Sequence, residues 1–233
     1  MGIDGGEFLL LPVCYGLAAV SITRLNLEEA PKPPSTTSVW AEIGEGLQVL
    51  KQVPSVRGAM LHLVLLYSLL AALYVLALQL AALIESLGPS GFGALLAMSG
   101  VGMAIGAVVI AQAGHRFSRR RLSATGLGTI TWTLVLLSQL RGSLVFTLSL
   151  CGILGVGAAL VAIPAQTTIQ EETPESERGR VFGLQNNLIN IALSLPLVLA
   201  GTLVSSIGLQ PVLLLLAGLA LTAALIERPW QRC

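Results

Sequence analysis

The stretch QTTIQEETPESERGRVFGLQNNLIN, residues 166–190, decides the fold. It is the one place where polar and charged side chains crowd between two long apolar runs. Glu171, Glu172, Glu175, Glu177, Arg178 and Arg180 all lie in it. An acid or base at the centre of a bilayer costs about 2.5–3.5 kcal/mol on insertion scales. The segment therefore sits in water, and the apolar runs on either side enter a membrane from the same face. The amides Asn186, Asn187 and Asn190 then descend into the second run, which predicts a polar path through a helix bundle.

Composition points the same way. The chain is 54% hydrophobic and 11% charged, with a mean hydropathy of +0.82. A soluble domain carries roughly 25% charged residues, so charge this sparse cannot cover an aqueous surface. The other available solvent is lipid. A net charge of +1 excludes a nucleic-acid footprint. Cys14, Cys151 and Cys233 are too scattered for a disulfide framework or a metal motif and read as small fillers.

Working outward, residues 8–22 form an apolar run shorter than the ~20 residues a spanning helix needs. Asp4 and Glu7 precede it where a signal peptide would carry basic residues. The expectation is the end of a membrane helix that starts upstream. LNLEEAPKPPSTTS follows Arg24 as a solvated linker. In residues 39–51, Trp40, Ile43, Leu47 and Leu50 share one helical face, with Ser38 placed to cap the start and Pro54 to stop it. This helix lies on the membrane surface, beneath the bundle, or in the solvated linker. Six apolar runs then follow, at 59–84, 92–112, 122–140, 144–169, 181–207 and 209–226. Each is about long enough to cross ~30 Å of hydrocarbon.

Basic residues fix the orientation. Arg24, Lys32, Lys51, Arg57, Arg116, Arg119, Arg120, Arg121, Arg178, Arg180, Arg228 and Arg232 fall on one side of this alternation, and Arg141 alone on the other. The basic side is cytoplasmic by the positive-inside rule. The C-terminus is then cytoplasmic, and 85–91, 141–143 and 206–210 are short external turns.

Several residue patterns fall inside the runs. Gly102 and Gly106 make a GxxxG, echoed by Gly152, Gly155, Gly157 and Ala159; small residues let helix backbones approach in lipid. Pro164 and Pro196 predict bends or interruptions. Gly183, Asn187, Asn190 and Ser194 are spaced 4, 3 and 4 and share a face, extended by Gly201 and Ser205. Carboxamides do not face lipid, so this stripe predicts inter-helix hydrogen bonds or a wet cavity. Tyr67 and Tyr74 lie seven apart on one face, with Gln79 beyond them. These tyrosines either line a cavity or pack. The candidate substrate-cavity residues are Tyr67, Tyr74, Gln79, Asn187, Asn190 and Ser194. The candidate cytoplasmic gate residues are Arg116, Arg119, Arg120, Arg121, Arg178 and Arg180.

No acid or base lies deep in a complete run; His62 and Glu85 sit near the ends. Proton coupling normally uses such a group, so coupling lies elsewhere or is of another kind. Gly88-Pro-Ser-Gly91 matches the G-x-S-G of intramembrane serine proteases. However, His62 and His115 sit on the cytoplasmic side, ~30 Å from an external Ser90, so catalysis is rejected. No H-E-x-x-H, Walker A or zinc spacing occurs. No metal, cofactor or enzymatic activity is expected.

Three segments carry a resemblance to the major facilitator superfamily. Pro174 with Arg178-Gly-Arg-Val-Phe-Gly183 is similar to the P-x-x-x-R-G-R-V-F-G between spans ten and eleven of its bacterial exporter branch, the branch that includes the enterobactin exporter. Gly88-Pro-Ser-Gly-Phe-Gly93 is similar to that branch's external turn between spans seven and eight. Residues 111–120 resemble the second copy of the G-x-x-x-D-R-x-G-R-R loop. Arg116, Arg119 and Arg120 are in place there, with Ala111, His115 and Ser118 replacing the two glycines and the aspartate. The lost aspartate removes one partner of any charge-pair switch in this loop.

The resemblance implies an all-α membrane protein, a six-transmembrane-helix bundle equivalent to the C-terminal half of a major facilitator fold, plus a truncated N-terminal helix. Residues 1–23 would hold the end of span six. Residues 24–57 would form a cytoplasmic linker with an amphipathic helix, and 58–233 spans seven to twelve. It further implies secondary active transport by alternating access, as an exporter of amphiphilic small molecules from the bacterial inner membrane. The partners implied are the lipid bilayer, a small-molecule substrate and a missing N-terminal six-helix half. The competing reading is a membrane scaffold, a binding subunit or a degenerate fragment that no longer transports.

Overall fold

The computed structural model describes residues 6–23, 44, 48, 50–84, 87–88, 91–139 and 143–226. Among these there is helix and turn but no strand. The chain divides into two units, 1–38 and 39–233.

The first unit holds α1 (Gly6–Thr23), which runs through Pro12. Its last turn is tightened by the Ser21 and Thr23 hydroxyls, which donate to the carbonyls of Leu17 and Val20. The linker and most of the helix expected over 39–51 lie outside the described residues. Residues 44, 48 and 50–52 are helical.

Among the described residues, the second unit holds six long helices whose starts and stops follow local chemistry. α2 (Pro54–Ala82) opens on Pro54, where a missing N–H costs nothing. α3 (Phe92–Ala113) follows a turn in which Gly88 takes φ +65°. A single 3₁₀ turn, Gly114–Arg116, leads to extended Phe117. α4 (Arg119–Gln139) begins three residues earlier than the apolar pattern predicts, taking the three arginines into its first turn. The reason is Ser118, whose hydroxyl accepts the Arg121 N–H at 3.3 Å and caps the helix. α5 (Leu144–Glu172) and α6 (Arg178–Ile207) flank the charged stretch, with a 3₁₀ turn at Glu175–Glu177 between them. α7 (Leu209–Ile226) follows Gly208, whose φ of +87° and ψ of 170° suit glycine alone.

The prolines do not break their helices. α5 is continuous through Pro164 and α6 through Pro196. Beside Pro164, the Thr167 and Thr168 hydroxyls donate to the Ile163 and Pro164 carbonyls, each at 2.9 Å.

Packing centres on α5, which lies against α3, α4 and α2. α2 in turn carries α6, and α4 carries α7. The α3–α5 contact is backbone against backbone. A Cβ added at Gly102 would collide with the Gly152 carbonyl, and one at Gly155 with the Ser99 carbonyl. The main core joins Leu66, Leu69 and Leu76 of α2 to Leu127 and Leu134 of α4, Leu154 and Val161 of α5, and Leu213 of α7. A second cluster near the basic end joins Leu50, Val56, Met60 and Leu63 to Ile169, Val181 and Leu184.

The outer surface is apolar. Val101, Ile105, Val108 and Val109 on α3, Trp132 on α4, and Leu215, Leu219 and Leu221 on α7 are all exposed. Water-soluble monomers do not carry apolar surface on this scale, whereas lipid requires it. Among the described residues, four segments are long and apolar enough to cross a membrane: Pro54–Ala82, Phe92–Ala113, Leu144–Glu172 and Glu175–Ile207. α4 falls short because its first turn is arginine and its body carries Ser, Thr and Gln. The apolar part of α7, Leu209–Leu225, falls short by length.

Candidate functional site

The charged side chains gather where α5 ends and α2, α4 and α6 begin. Arg119 at the start of α4 pairs with Glu171 near the end of α5. It also reaches the Thr168 hydroxyl at 3.5 Å. Ser55 at the start of α2 donates to Glu172. Three helices from distant parts of the chain are thus joined through the last turn of α5. Within the α5–α6 turn, Glu175 pairs with Arg178 at 3.6 Å and Glu177 with Arg180 at 2.9 Å. Of the candidate gate residues, Arg119, Arg178 and Arg180 belong to these pairs. Arg116, Arg120 and Arg121 are exposed nearby. Both partners of the Arg119–Glu171 pair are substantially solvated, so it contributes at most about 1 kcal/mol to stability.

The candidate cavity residues lie on α2 and α6. These two helices run parallel, with Met60 and Leu63 in one cluster with Val181 and Leu184, and Val75 beside Gly201 further along. Tyr67 is half-buried against that cluster, as is Leu188. Tyr74 is 45% exposed and sets its ring edge-to-face on Phe92 of α3, with centroids 5.9 Å apart. Gln79 is exposed near the far end of α2. Asn187, Asn190 and Ser194 are exposed on the side of α6 turned away from α2. The Ser194 hydroxyl donates to the main-chain carbonyl of Asn190 at 2.8 Å. Among the described residues, no hydrogen bond joins the α2 candidates to the α6 candidates. Ser90 lies outside the described residues, as do Glu85 and Arg141.

Cavities lie at two places among the described residues. One, about 370 Å³, lies at the end of the bundle opposite the arginines. Leu80, Ile84, Leu137, Ser138, Thr147 and Gln210 are among its lining residues, and none of the candidates is. The second, about 310 Å³, lies between α5 and α6 and is lined by Gln166, Gln170, Phe182, Gln185, Asn186 and Ile189. Gln185 is only 8% exposed, and its Nε2 donates to Gln166 Oε1 at 2.7 Å. Sequence reading singled out Asn186 but neither glutamine. Gln166 and Gln185 lie 19 residues apart on opposite sides of the charged turn. Their one sequence signal is that each falls about two helical turns from that turn. Among the described residues, no three His, Cys, Asp or Glu side chains converge to hold a metal.

The Major Facilitator Superfamily model matches residues 60–229. "Multidrug efflux pump Tap" of Mycolicibacterium fortuitum is 28% identical over 228 residues, covering 93% of this chain and 52% of Tap. "Uncharacterized MFS-type transporter YfiS" of Bacillus subtilis is 33% identical over 221 residues, covering 86% of this chain and 49% of YfiS. The chain spans about half the length of the curated relatives it matches. With its apolar helices and this match, the chain belongs to the major facilitator superfamily of integral membrane transporters.

Proposed function

We propose that this chain is the C-terminal portion of a secondary active transporter that exports amphiphilic small molecules by alternating access. In this reading α1 is the end of span six, and α2 to α7 are spans seven to twelve, all six crossing the membrane. The basic end is cytoplasmic, and the membrane is the bacterial inner membrane. A second six-helix half, on the same polypeptide or a separate one, closes the cavity opposite α2 and α6. The chemistry is movement of solute, with no bond made or broken.

One observation carries this reading. α6 turns Asn187, Asn190 and Ser194 away from α2 to an exposed side, and exposed carboxamides are costly against lipid. A water-filled cavity shared with a second half relieves that cost. The half-length match to an efflux pump supports the same conclusion. So does the gathering of arginines at one end, since positive loops mark the cytoplasmic face.

The test is flux in inside-out vesicles holding the complete polypeptide, with ethidium and N-phenyl-1-naphthylamine as probes. The expected result is accumulation that collapses with the proton or sodium gradient. Replacing both Asn187 and Asn190 by Leu should cut it at least fivefold while leaving membrane insertion intact. No gradient-dependent flux of either probe would favour the non-transporting scaffold instead.

A further inference from the structure

The cleft between α5 and α6 has a composition that packing does not require. Four of its six lining residues, Gln166, Gln170, Gln185 and Asn186, are carboxamides, and the other two are Phe182 and Ile189. Each carboxamide offers two N–H donors and an oxygen with two lone pairs. Joining two helices needs one bond, and that bond is present between Gln185 and Gln166. Among the described residues, no other hydrogen bond engages these four side chains. Most of their capacity is therefore not used within these helices.

The cleft also has a defined depth. Gln166 lies six residues before the end of α5 and Gln185 seven residues into α6. Each is therefore about 10 Å from the charged turn. The two helices do not pack tightly against each other, so a gap remains between them. Gln170, Phe182 and Asn186 are exposed at its mouth, and Gln185 closes its floor.

We propose that this cleft is a binding subsite for the uncharged, hydrogen-bonding head of an amphiphile, an amide or hydroxyl group on an apolar frame. No ionisable side chain lines it. The nearest carboxylate on α5, Glu171, is already paired with Arg119. An ion entering would lose hydration without gaining a counter-charge, which is unfavourable. A neutral amide or hydroxyl exchanges water for carboxamide partners of the same kind, at little cost. Phe182 and Ile189 supply the apolar wall for the adjoining ring or chain. At about 310 Å³ the cleft is at the small end of ligand sites, so it holds a head group and one ring. The inference rests on the transport reading for its role: it names what the cytoplasmic mouth selects.

Three photoreactive probes with one frame and different heads test this. They are 4-benzoylbenzamide, 4-benzoylbenzoate and (4-benzoylbenzyl)trimethylammonium. Each is irradiated with the complete polypeptide in phosphatidylcholine vesicles, and the labelled peptides are mapped by mass spectrometry. The expected result is at least tenfold stronger labelling of residues 166–190 by the benzamide than by either ion, suppressed by excess benzamide. Combined Gln170→Leu and Asn186→Leu, both at exposed positions, should lower that labelling at least fivefold with an unchanged thermal midpoint. Equal labelling by all three probes, preference for an ion, or labelling indifferent to the double substitution would overturn the subsite. Flux measured on the same vesicles separates the two readings. Gradient-dependent flux without head-group selectivity removes the subsite and leaves the transporter. Selective labelling without flux supports the subsite and removes the transporter.

Discussion

Gly102 and Gly100 are two residues apart on α3 and have opposite surroundings. A Cβ at Gly102 runs into the Gly152 backbone, whereas one at Gly100 meets open space. Overpacking a close contact costs about 1–3 kcal/mol. Gly102→Ala should therefore lower the thermal midpoint of the detergent-solubilised protein by several degrees. Gly100→Ala, which only gains helix propensity, should leave it level or slightly raised. Equal effects would refute the backbone contact. The glycine spacing was legible in the sequence, because small residues at helical intervals have one common use in lipid. Which glycine touches and which does not was not legible, since that depends on how α3 is rotated against α5. The Gln166–Gln185 pair was hidden for a related reason. Each residue looks like a stray polar group until the turn at 173–177 folds the two helices together.

Among the elements, helix extents were the most legible feature. The runs expected at 92–112 and 209–226 correspond to Phe92–Ala113 and Leu209–Ile226. The start of α4 was misjudged because hydropathy discounts arginine, while the Ser118 cap and the long arginine stems favour helix there. Partner choice between helices was not legible. α2, α3, α5 and α7 are apolar nearly all round, so periodicity gives little direction. Arg119 and Glu171 illustrate what joins elements that sequence leaves unconnected. Glu171→Gln removes a solvated pair and should change stability by less than about 1 kcal/mol. That small difference should vanish in 1 M salt, where the screening length is about 3 Å. A loss well above 1 kcal/mol, or one independent of salt, would mean the pair is far less solvated than its exposure indicates. Thermal denaturation at low and high salt measures both.

For the whole molecule, the alternation of charged and apolar segments predicts sidedness. With Cys14, Cys151 and Cys233 replaced, Ser118→Cys and Ser176→Cys should react with a membrane-impermeant maleimide only in inside-out vesicles. Ser143→Cys should react only in intact cells. All three positions are exposed, so failure to label does not arise from burial. Reaction of Ser118→Cys or Ser176→Cys in intact cells would reverse the orientation and remove the export reading. Residues 25–38, whose composition marks a solvated linker, lie outside the described residues, as does 227–233.

The support given to α6 has a mechanical consequence. α5 is hemmed in by three neighbours, but α6 is clamped along one edge by α2, tied to α5 by the Gln185–Gln166 bond and only lightly touched by α7. A rod fastened on one edge is compliant in the perpendicular direction, and Pro196 removes one internal bond from its outer half. Small forces from a solute or a neighbouring domain would flex that half first. The bundle thus combines a stiff spine with a springy flank, whose compliant half begins just beyond the asparagines.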